Sequence, residues 1–252
     1  MPKKKAMTSE RAREVKLRGH ADAQEFAKAL GIGKEFKADP KAKVDVIDNN
    51  GFRYSVKSGE KKWQIFLYGE KRFKEDPEFR AVNLSKTFLD CIKSFPLKRE
   101  DYLKNKIFYK MKLQKFMIAL KNKLTNRNKL RLLLNKGLFN SGEVDFLVIK
   151  EDNIFHVFYN KDVLEVLTKL IIPENSKAKA ENQLDNQKVI FKIQGKTYGE
   201  IEMRNDSDIH YKEVKFWLDR KLITNLLKEN IKPNRLFNDK IILYGEAIKK
   251  IK

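Results

Sequence analysis

Asp45, Ser55 and Lys57 bring together a carboxylate, a hydroxyl and an amine, the groups that phosphodiester chemistry uses, on two neighbouring runs of the chain. Lys43-Val44-Asp45-Val46-Ile47-Asp48 and Phe52-Arg53-Tyr54-Ser55-Val56-Lys57 flank Asn49-Asn50-Gly51, a turn signal between two apolar-rich stretches. With a three-residue loop, antiparallel pairing sets Asp45 opposite Ser55, and the two-residue strand period places Lys57 on the same face. A metal ion would find a carboxylate there, and a phosphate would find an amine. Asp48 falls on the other face.

The rest of the chain suits a polyanion. Its 55 Lys and Arg against 34 Asp and Glu leave a formal charge of +21 in 252 residues, self-repulsion that a nucleic acid would relieve. With 41% hydrophobic residues and 17 Phe it can still bury a core, which excludes a basic disordered tail. The single Cys91 excludes an intramolecular disulfide framework and a Cys-rich zinc site, and suits a reducing compartment. His20, His156 and His210 are scattered, and neither a Walker-type phosphate loop nor a nucleophile elbow is present. No apolar run approaches a membrane span, and Met1-Pro2-Lys3-Lys4-Lys5 lacks the apolar segment of a secretory signal, so the expectation is a cytoplasmic protein with no membrane partner.

The elements that must hold these groups follow from periodicity. Ser9 is placed to cap a helix running to about Leu30, with Ala23, Phe26, Ala27 and Leu30 inward and Gly31 as its stop. The hairpin follows. Trp63 to Tyr68 is a buried element of either type, and Val82 to Phe95 reads as a helix ending at Pro96. Between Lys98 and Lys136, Glu100 and Asp101 are the only acids, while Leu103, Ile107, Leu113, Phe116, Met117, Leu120 and Leu124 recur at helical spacing. Thr125 is placed to cap a second helix ending near Gly137. Period two returns in Val144 to Lys150 and Ile154 to Tyr159, a hairpin around Glu151-Asp152-Asn153, followed by a helix from Asp162 to Ile172. Residues 174–187 have almost no large apolar side chains and read as a mobile loop or linker. Val189 to Ile193, Tyr198 to Met203 and Val214 to Leu218 read as strands, and a helix runs from about Arg220 to Glu229.

A helix with Glu25, a strand with Asp45, a strand with Ser55-Val56-Lys57 and then Gln64-Ile65-Phe66-Leu67-Tyr68 resembles the PD-(D/E)xK nuclease core over residues 9–70. Gly199-Glu200-Ile201-Glu202-Met203-Arg204-Asn205-Asp206-Ser207, His210-Tyr211-Lys212 and Phe216 resemble the specificity segment of type II restriction endonucleases. The resemblance implies an α/β fold whose mixed central sheet is flanked by helices. Residues 1–97 would carry the first part of this core with the catalytic hairpin, 98–140 a lysine-rich helical segment, and 141–252 a β-rich specificity part. It also implies Mg²⁺ as cofactor, double-stranded DNA as partner, action as a monomer or homodimer in a prokaryotic cytoplasm, and products with 5′-phosphate and 3′-hydroxyl ends.

In that scheme Asp45 and the carbonyl of Val56 hold the metal, and Lys57 orients or deprotonates the attacking water. The second carboxylate of the family motif stands two residues before the lysine, where this chain has Ser55. Glu25 is the candidate to replace it, with Glu60 behind, while Asp39 before Pro40 rivals Asp45. Gln64 and Tyr68 match a Gln-x-x-x-Tyr pattern, a spacing that core packing also produces. Arg204, Asn205, Asp206, Ser207, His210 and Lys212 offer donors and acceptors for base edges, and Lys110, Lys112 and Lys115 for phosphates. The structural alternatives are a cross-strand salt bridge between Asp45 and Lys57, a solvated lysine face and a polar turn. Glu143, Asp145 and His156 form a competing acidic set with no lysine at the matching place. The functional alternatives are a non-catalytic nucleic-acid-binding protein and a structure-specific repair nuclease.

Overall fold

The computed structural model describes residues 9–32, 44–59, 61–181, 183–208 and 210–251, so Asp39 and Glu60 lie outside the described residues. In chain order the helices are α1 (Ser9–Ala29), α2 (Glu70–Glu75), α3 (Pro77–Ala81), α4 (Leu84–Lys93), α5 (Arg99–Lys104), α6 (Lys106–Leu124), α7 (Arg127–Phe139), α8 (Asn160–Leu170), α9 (Arg220–Asn230) and α10 (Ala247–Lys250). The strands are β1 (Val46–Ile47), β2 (Arg53–Lys57), β3 (Lys62–Tyr68), β4 (Phe146–Glu151), β5 (Ile154–Tyr159), β6 (Ile172–Asn175), β7 (Lys188–Ile193), β8 (Lys196–Met203), β9 (Val214–Asp219), β10 (Pro233–Asn238) and β11 (Ile241–Tyr244).

The protein is of the α/β class, and two compact units share the chain. One holds residues 1–61, 138–163 and 224–252, the other 62–137 and 164–223. This interleaving cuts across the three consecutive stretches expected from the sequence. It arises because strands find partners far along the chain, which composition does not reveal.

The first unit is built on a mixed six-stranded sheet ordered β1-β2-β4-β5-β11-β10. β2 runs antiparallel to β1 and parallel to β4, with Ser55 beside Leu147 and Lys57 beside Ile149. β4 lies inside this sheet and reads as a continuous apolar run, Phe146-Leu147-Val148-Ile149, every residue buried. Ala23, Phe26 and Ala27 of α1 pack with Val46, Tyr54, Val56, Phe146, Val148, Phe155 and Val157 in one core. The hairpin β4–β5 closes on two residues, Asp152 and Asn153, with φ of 46° and 67°, so the strand reaches Glu151, one residue further than the sequence suggests.

The second unit carries an antiparallel five-stranded sheet, β3-β9-β8-β7-β6. Trp63 to Tyr68, a buried run of either type by sequence, is thus a strand, and it pairs with β9. Gly199 is forced by the close approach of β8 and β9, because a Cβ there would lie 2.5 Å from the Trp217 carbonyl oxygen. The segment 174–187 is in part a strand, since β6 pairs with β7, and Asp185 and Gln187 are hydrogen-bonded to α6. Gln114 donates to the Asp185 carbonyl, and Gln187 donates to the carbonyl of Lys110.

The lysine-rich helices depart from expectation in three ways. Asn126, not Thr125, caps α7, its side chain accepting from the Lys129 N–H, while the Thr125 hydroxyl closes the end of α6 on the Asn122 carbonyl. Leu103 and Ile107 are exposed instead of packed, because the buried face of α6 runs through Leu113, Met117, Leu120 and Leu124. Lys136 turns inward, 2.8 Å from Asp76 and also paired with Glu78, beside the ring of Phe79. Among the described residues no helix is long and apolar enough to cross a membrane.

The Lys136 side chain is 7% exposed and that of Asp76 is 3% exposed. Replacing only Lys136 therefore strands a buried carboxylate. Lys136→Met is expected to cost about 3–5 kcal/mol in urea unfolding. Adding Asp76→Asn, which keeps the cap on the Phe79 N–H, should restore part of it; no recovery in the double variant would show that the missing lysine, not the stranded charge, sets the cost.

Candidate active site

The β1–β2 hairpin folds through its own turn. Gly51, with φ of 81°, allows the three-residue loop, and the Asp48 carboxylate accepts from the backbone N–H groups of Asn50 and Phe52. The other Asp48 oxygen accepts from the Tyr54 hydroxyl at 2.7 Å. Burial, reinforced by that bond and by the charges of Asp48 and Asp145, raises the Tyr54 phenol far above its ordinary range. Asp48 is therefore spent on organising the turn.

Val46 pairs with Tyr54 and Ile47 with Arg53, the register that a three-residue loop predicts. Beyond the last paired residues the Asp45 N–H donates to the Tyr54 carbonyl at 2.8 Å. The Asp45 carboxylate then turns onto β2, where Oδ2 accepts from the Ser55 hydroxyl at 3.1 Å and from the Val56 N–H at 2.7 Å. Asp45 and Ser55 thus meet as the hairpin requires. Because N–H and C=O of one strand residue leave on the same side, the Val56 carbonyl points to the edge that carries Asp45. Tyr54 and Val56 face the α1 core, so alternation puts Ser55 and Lys57 on the opposite face of the sheet. Ser55 is buried and Lys57 half-buried, and among the described residues Lys57 makes no ion pair. The cross-strand salt bridge with Asp45 does not form.

Glu25 is not brought to this group. Its carboxylate is 2.7 Å from the amine of Lys150, which also holds Asp22 at 2.7 Å, and Lys240 stands 3.8 Å away. Burial works against the charge on Lys150, but its bonds to Asp22 and Glu25 prevail and raise its pKa. This trio belongs to the α1 side of the sheet, opposite Ser55 and Lys57. Sequence reasoning misses Asp22, although its i,i+3 spacing from Glu25 puts both on one helix face. Among the described residues no three of His, Cys, Asp and Glu gather where a metal could be held.

The competing set also has structural duties. Asp145 accepts from the Arg53 N–H at 2.9 Å, Glu143 bonds to Asn140, and the buried His156 lies 2.9 Å from the Tyr244 hydroxyl. Gln64 and Tyr68 sit on β3 in the second unit, Gln64 exposed and Tyr68 stacked on Phe66 at 4.3 Å between ring centres. They belong to another sheet from Asp45 and Lys57, so their pattern serves β3.

In the second unit the turn between β8 and β9 carries the polar candidates, and several are occupied. Arg204 reaches Asp206 at 3.3 Å, the Ser207 hydroxyl accepts from the His210 N–H, and His210 Nδ1 is 2.9 Å from Glu213. Asn205 and Lys212 make no side-chain hydrogen bond or ion pair among the described residues, and the Asp206 side chain is 76% exposed. Lys110 is half-buried, Lys112 and Lys115 are exposed, and none of the three makes an ion pair among the described residues. By contrast, Lys123 donates to the Asn83 carbonyl and Arg127 to those of Thr168 and Ile171. The first half of α6 thus holds cations that make no ion pair among the described residues.

Comparison of the sequence with protein-family models and with curated proteins returns no match.

The bonding pattern separates the two hairpin residues by their effect on stability. Asp45→Ala removes the acceptor of a strand N–H and a buried hydroxyl and is expected to cost about 1–3 kcal/mol. Lys57→Met, losing no ion pair, should stay within about 0.5 kcal/mol of the parent. Matching losses in thermal and chemical unfolding would mean that the two side chains are partners after all.

Proposed function

We propose that this chain is a Mg²⁺-dependent, sequence-specific double-stranded DNA endonuclease of the type II restriction class, with a PD-(D/E)xK-like site on its first unit. The observation that carries the reading is the hairpin itself. The Asp45 carboxylate is locked onto Ser55-Val56, and Lys57, whose amine makes no ion pair among the described residues, lies on the face that carries Ser55. The donors fit a cation taken up together with its substrate. Mg²⁺ keeps several waters and uses one or two carboxylates plus phosphate oxygens, which Asp45 and the Val56 carbonyl can complement without a preformed cage.

When bound, Mg²⁺ would neutralise phosphate charge and lower the pKa of a water. The protein's part is positional. The Ser55 hydroxyl and Val56 N–H hold one oxygen of Asp45 and fix the orientation of the other. Lys57, with no carboxylate partner among the described residues, would orient the attacking water or stand against charge developing on the phosphate. Glu25 has no part in this account. In the second unit, Lys110, Lys112 and Lys115 would bind phosphates and the turn from Arg204 to Lys212 would read bases, Asn205 and Lys212 being the least committed. By resemblance, the products carry 5′-phosphate and 3′-hydroxyl ends.

The second reading, a DNA-binding protein without hydrolytic activity, is favoured by one observation: among the described residues no three of His, Cys, Asp and Glu gather where a metal could be held. Incubation of purified protein with plasmid and Mg²⁺ separates the possibilities. Discrete fragments are expected; a smear or cutting only at junctions means a repair nuclease, and intact plasmid with a gel shift means a binder. Asp45→Ala should abolish cleavage with DNA binding retained, and Lys57→Ala should slow it at least about a hundredfold with the fold intact.

Binding should divide in the same way. Neutralising Lys110, Lys112 and Lys115 together is expected to weaken matched and mismatched duplexes alike and to reduce the slope of log affinity against log salt by about 0.9 for each phosphate no longer neutralised. Asn205→Ala should cost the matched duplex about 1–3 kcal/mol and leave the slope unchanged. Equal weakening on every sequence would make the turn only a further phosphate clamp.

A further inference from the structure

We propose that Ile107, Phe108 and Met111, at the start of α6, form an apolar wedge that enters a groove of duplex DNA and unstacks a base step next to the segment read by the β8–β9 turn. The proposal rests on the DNA-binding reading above and adds a mode of engagement to it.

These side chains are 67%, 62% and 57% exposed, and Leu103 at the end of α5 adds to them at 42%. Residues 107, 108 and 111 share one helical face, so they form a continuous apolar surface and not scattered exposures. Lys106, Lys110 and Lys112 border it, and α6 has no carboxylate anywhere along its length. An occupant must therefore be anionic at the rim and apolar within. Duplex DNA has both properties, phosphates along the groove edges and base faces between them, and inserted Phe, Ile or Met side chains unstack base steps in proteins that bend it.

A wedge must be rigid to displace a base, and this one has a fixed footing. Tyr109 packs on Tyr102 with ring centres 6.2 Å apart, and Tyr102 meets Phe95 at 5.3 Å and Tyr211 at 6.0 Å. Tyr211 belongs to the β8–β9 turn, and its hydroxyl donates to the Pro96 carbonyl at 3.2 Å. Arg99 of α5 forms an ion pair with Asp208 of the same turn. The aromatic cluster thus ties the exposed apolar face to the turn within one unit, so a duplex lying against the turn would be reached by the wedge.

The test uses the full chain without divalent cation, to prevent cleavage, and duplexes carrying 2-aminopurine at successive positions of the preferred sequence. The wild-type protein should raise fluorescence severalfold at one step. The double variant Ile107→Ser, Phe108→Ser should lose that rise while keeping its thermal unfolding and salt slope, since both side chains are exposed and all lysines remain. The Lys110, Lys112 and Lys115 neutralised variant should show the reverse at saturating protein. Binding without enhanced fluorescence at any step, or an unchanged signal in the double variant, overturns the proposal. So does a double variant whose only defect is loss of self-association in sedimentation or loss of binding to anionic phospholipid vesicles, which would make the patch a dimer or membrane contact. Duplex binding with no unstacking refutes the wedge alone, whereas absence of any duplex binding by the wild type refutes the DNA-binding reading on which it rests.

Discussion

The parallel pairing of β2 with β4 is the constraint on which the first unit depends. Ser55 lies beside Leu147, 92 positions further along the chain, and parallel neighbours cannot be joined by a tight turn. The long connection is used to build most of the second unit, residues 62–137. On its other edge β2 pairs, among the described residues, with the two residues of β1, and where that pairing stops the Asp45 carboxylate takes over as acceptor for the Val56 N–H. An unpaired strand N–H costs free energy, so the Asp45 side chain completes the sheet edge where the β1 backbone leaves it.

Charge is spent unevenly over this basic protein. Lys136, Lys150 and Lys188 each sit between two carboxylates: Asp76 and Glu78, Asp22 and Glu25, Glu200 and Glu202. Burial opposes the charge on Lys188, and its two glutamates outweigh that effect and raise its pKa. These cations hold elements together and are withdrawn from any partner. Lys110, Lys112 and Lys115, near the start of α6, make no ion pair among the described residues, so their charge is not compensated by a carboxylate there. Electrostatic attraction to a polyanion is long-ranged, whereas grip depends on which cations are not already paired.

The β8–β9 turn shows the same economy at smaller scale. Ser207, His210 and Glu213 keep its backbone in shape, and Tyr211 anchors it to the Phe95 and Tyr102 rings. Burial beside Tyr102 and Tyr109 pushes the Tyr211 phenol up to about 12, so it stays a neutral donor to the Pro96 carbonyl. A turn so pinned can present Asn205, Asp206 and Lys212 at low conformational cost.

What was legible in the sequence was local. The Asn49-Asn50-Gly51 hairpin and the meeting of Asp45 with Ser55 follow from loop length and strand period, and the helices α1, α4, α8 and α9 follow from apolar spacing and stop signals. Even the choice between strand and helix at Trp63 to Tyr68 was open, because a short buried apolar run fits both and the pairing with β9 decides. Tertiary structure alone determined that β3 leaves the sheet of β2, that Glu25 answers to Lys150 across 125 positions, and that Lys136 points inward while Ile107 and Phe108 point out. Residues close in sequence are brought together by the backbone's own periodicity. Partners far apart meet only after loop-closure entropy has been overcome by burial elsewhere, and no short window of sequence contains that balance.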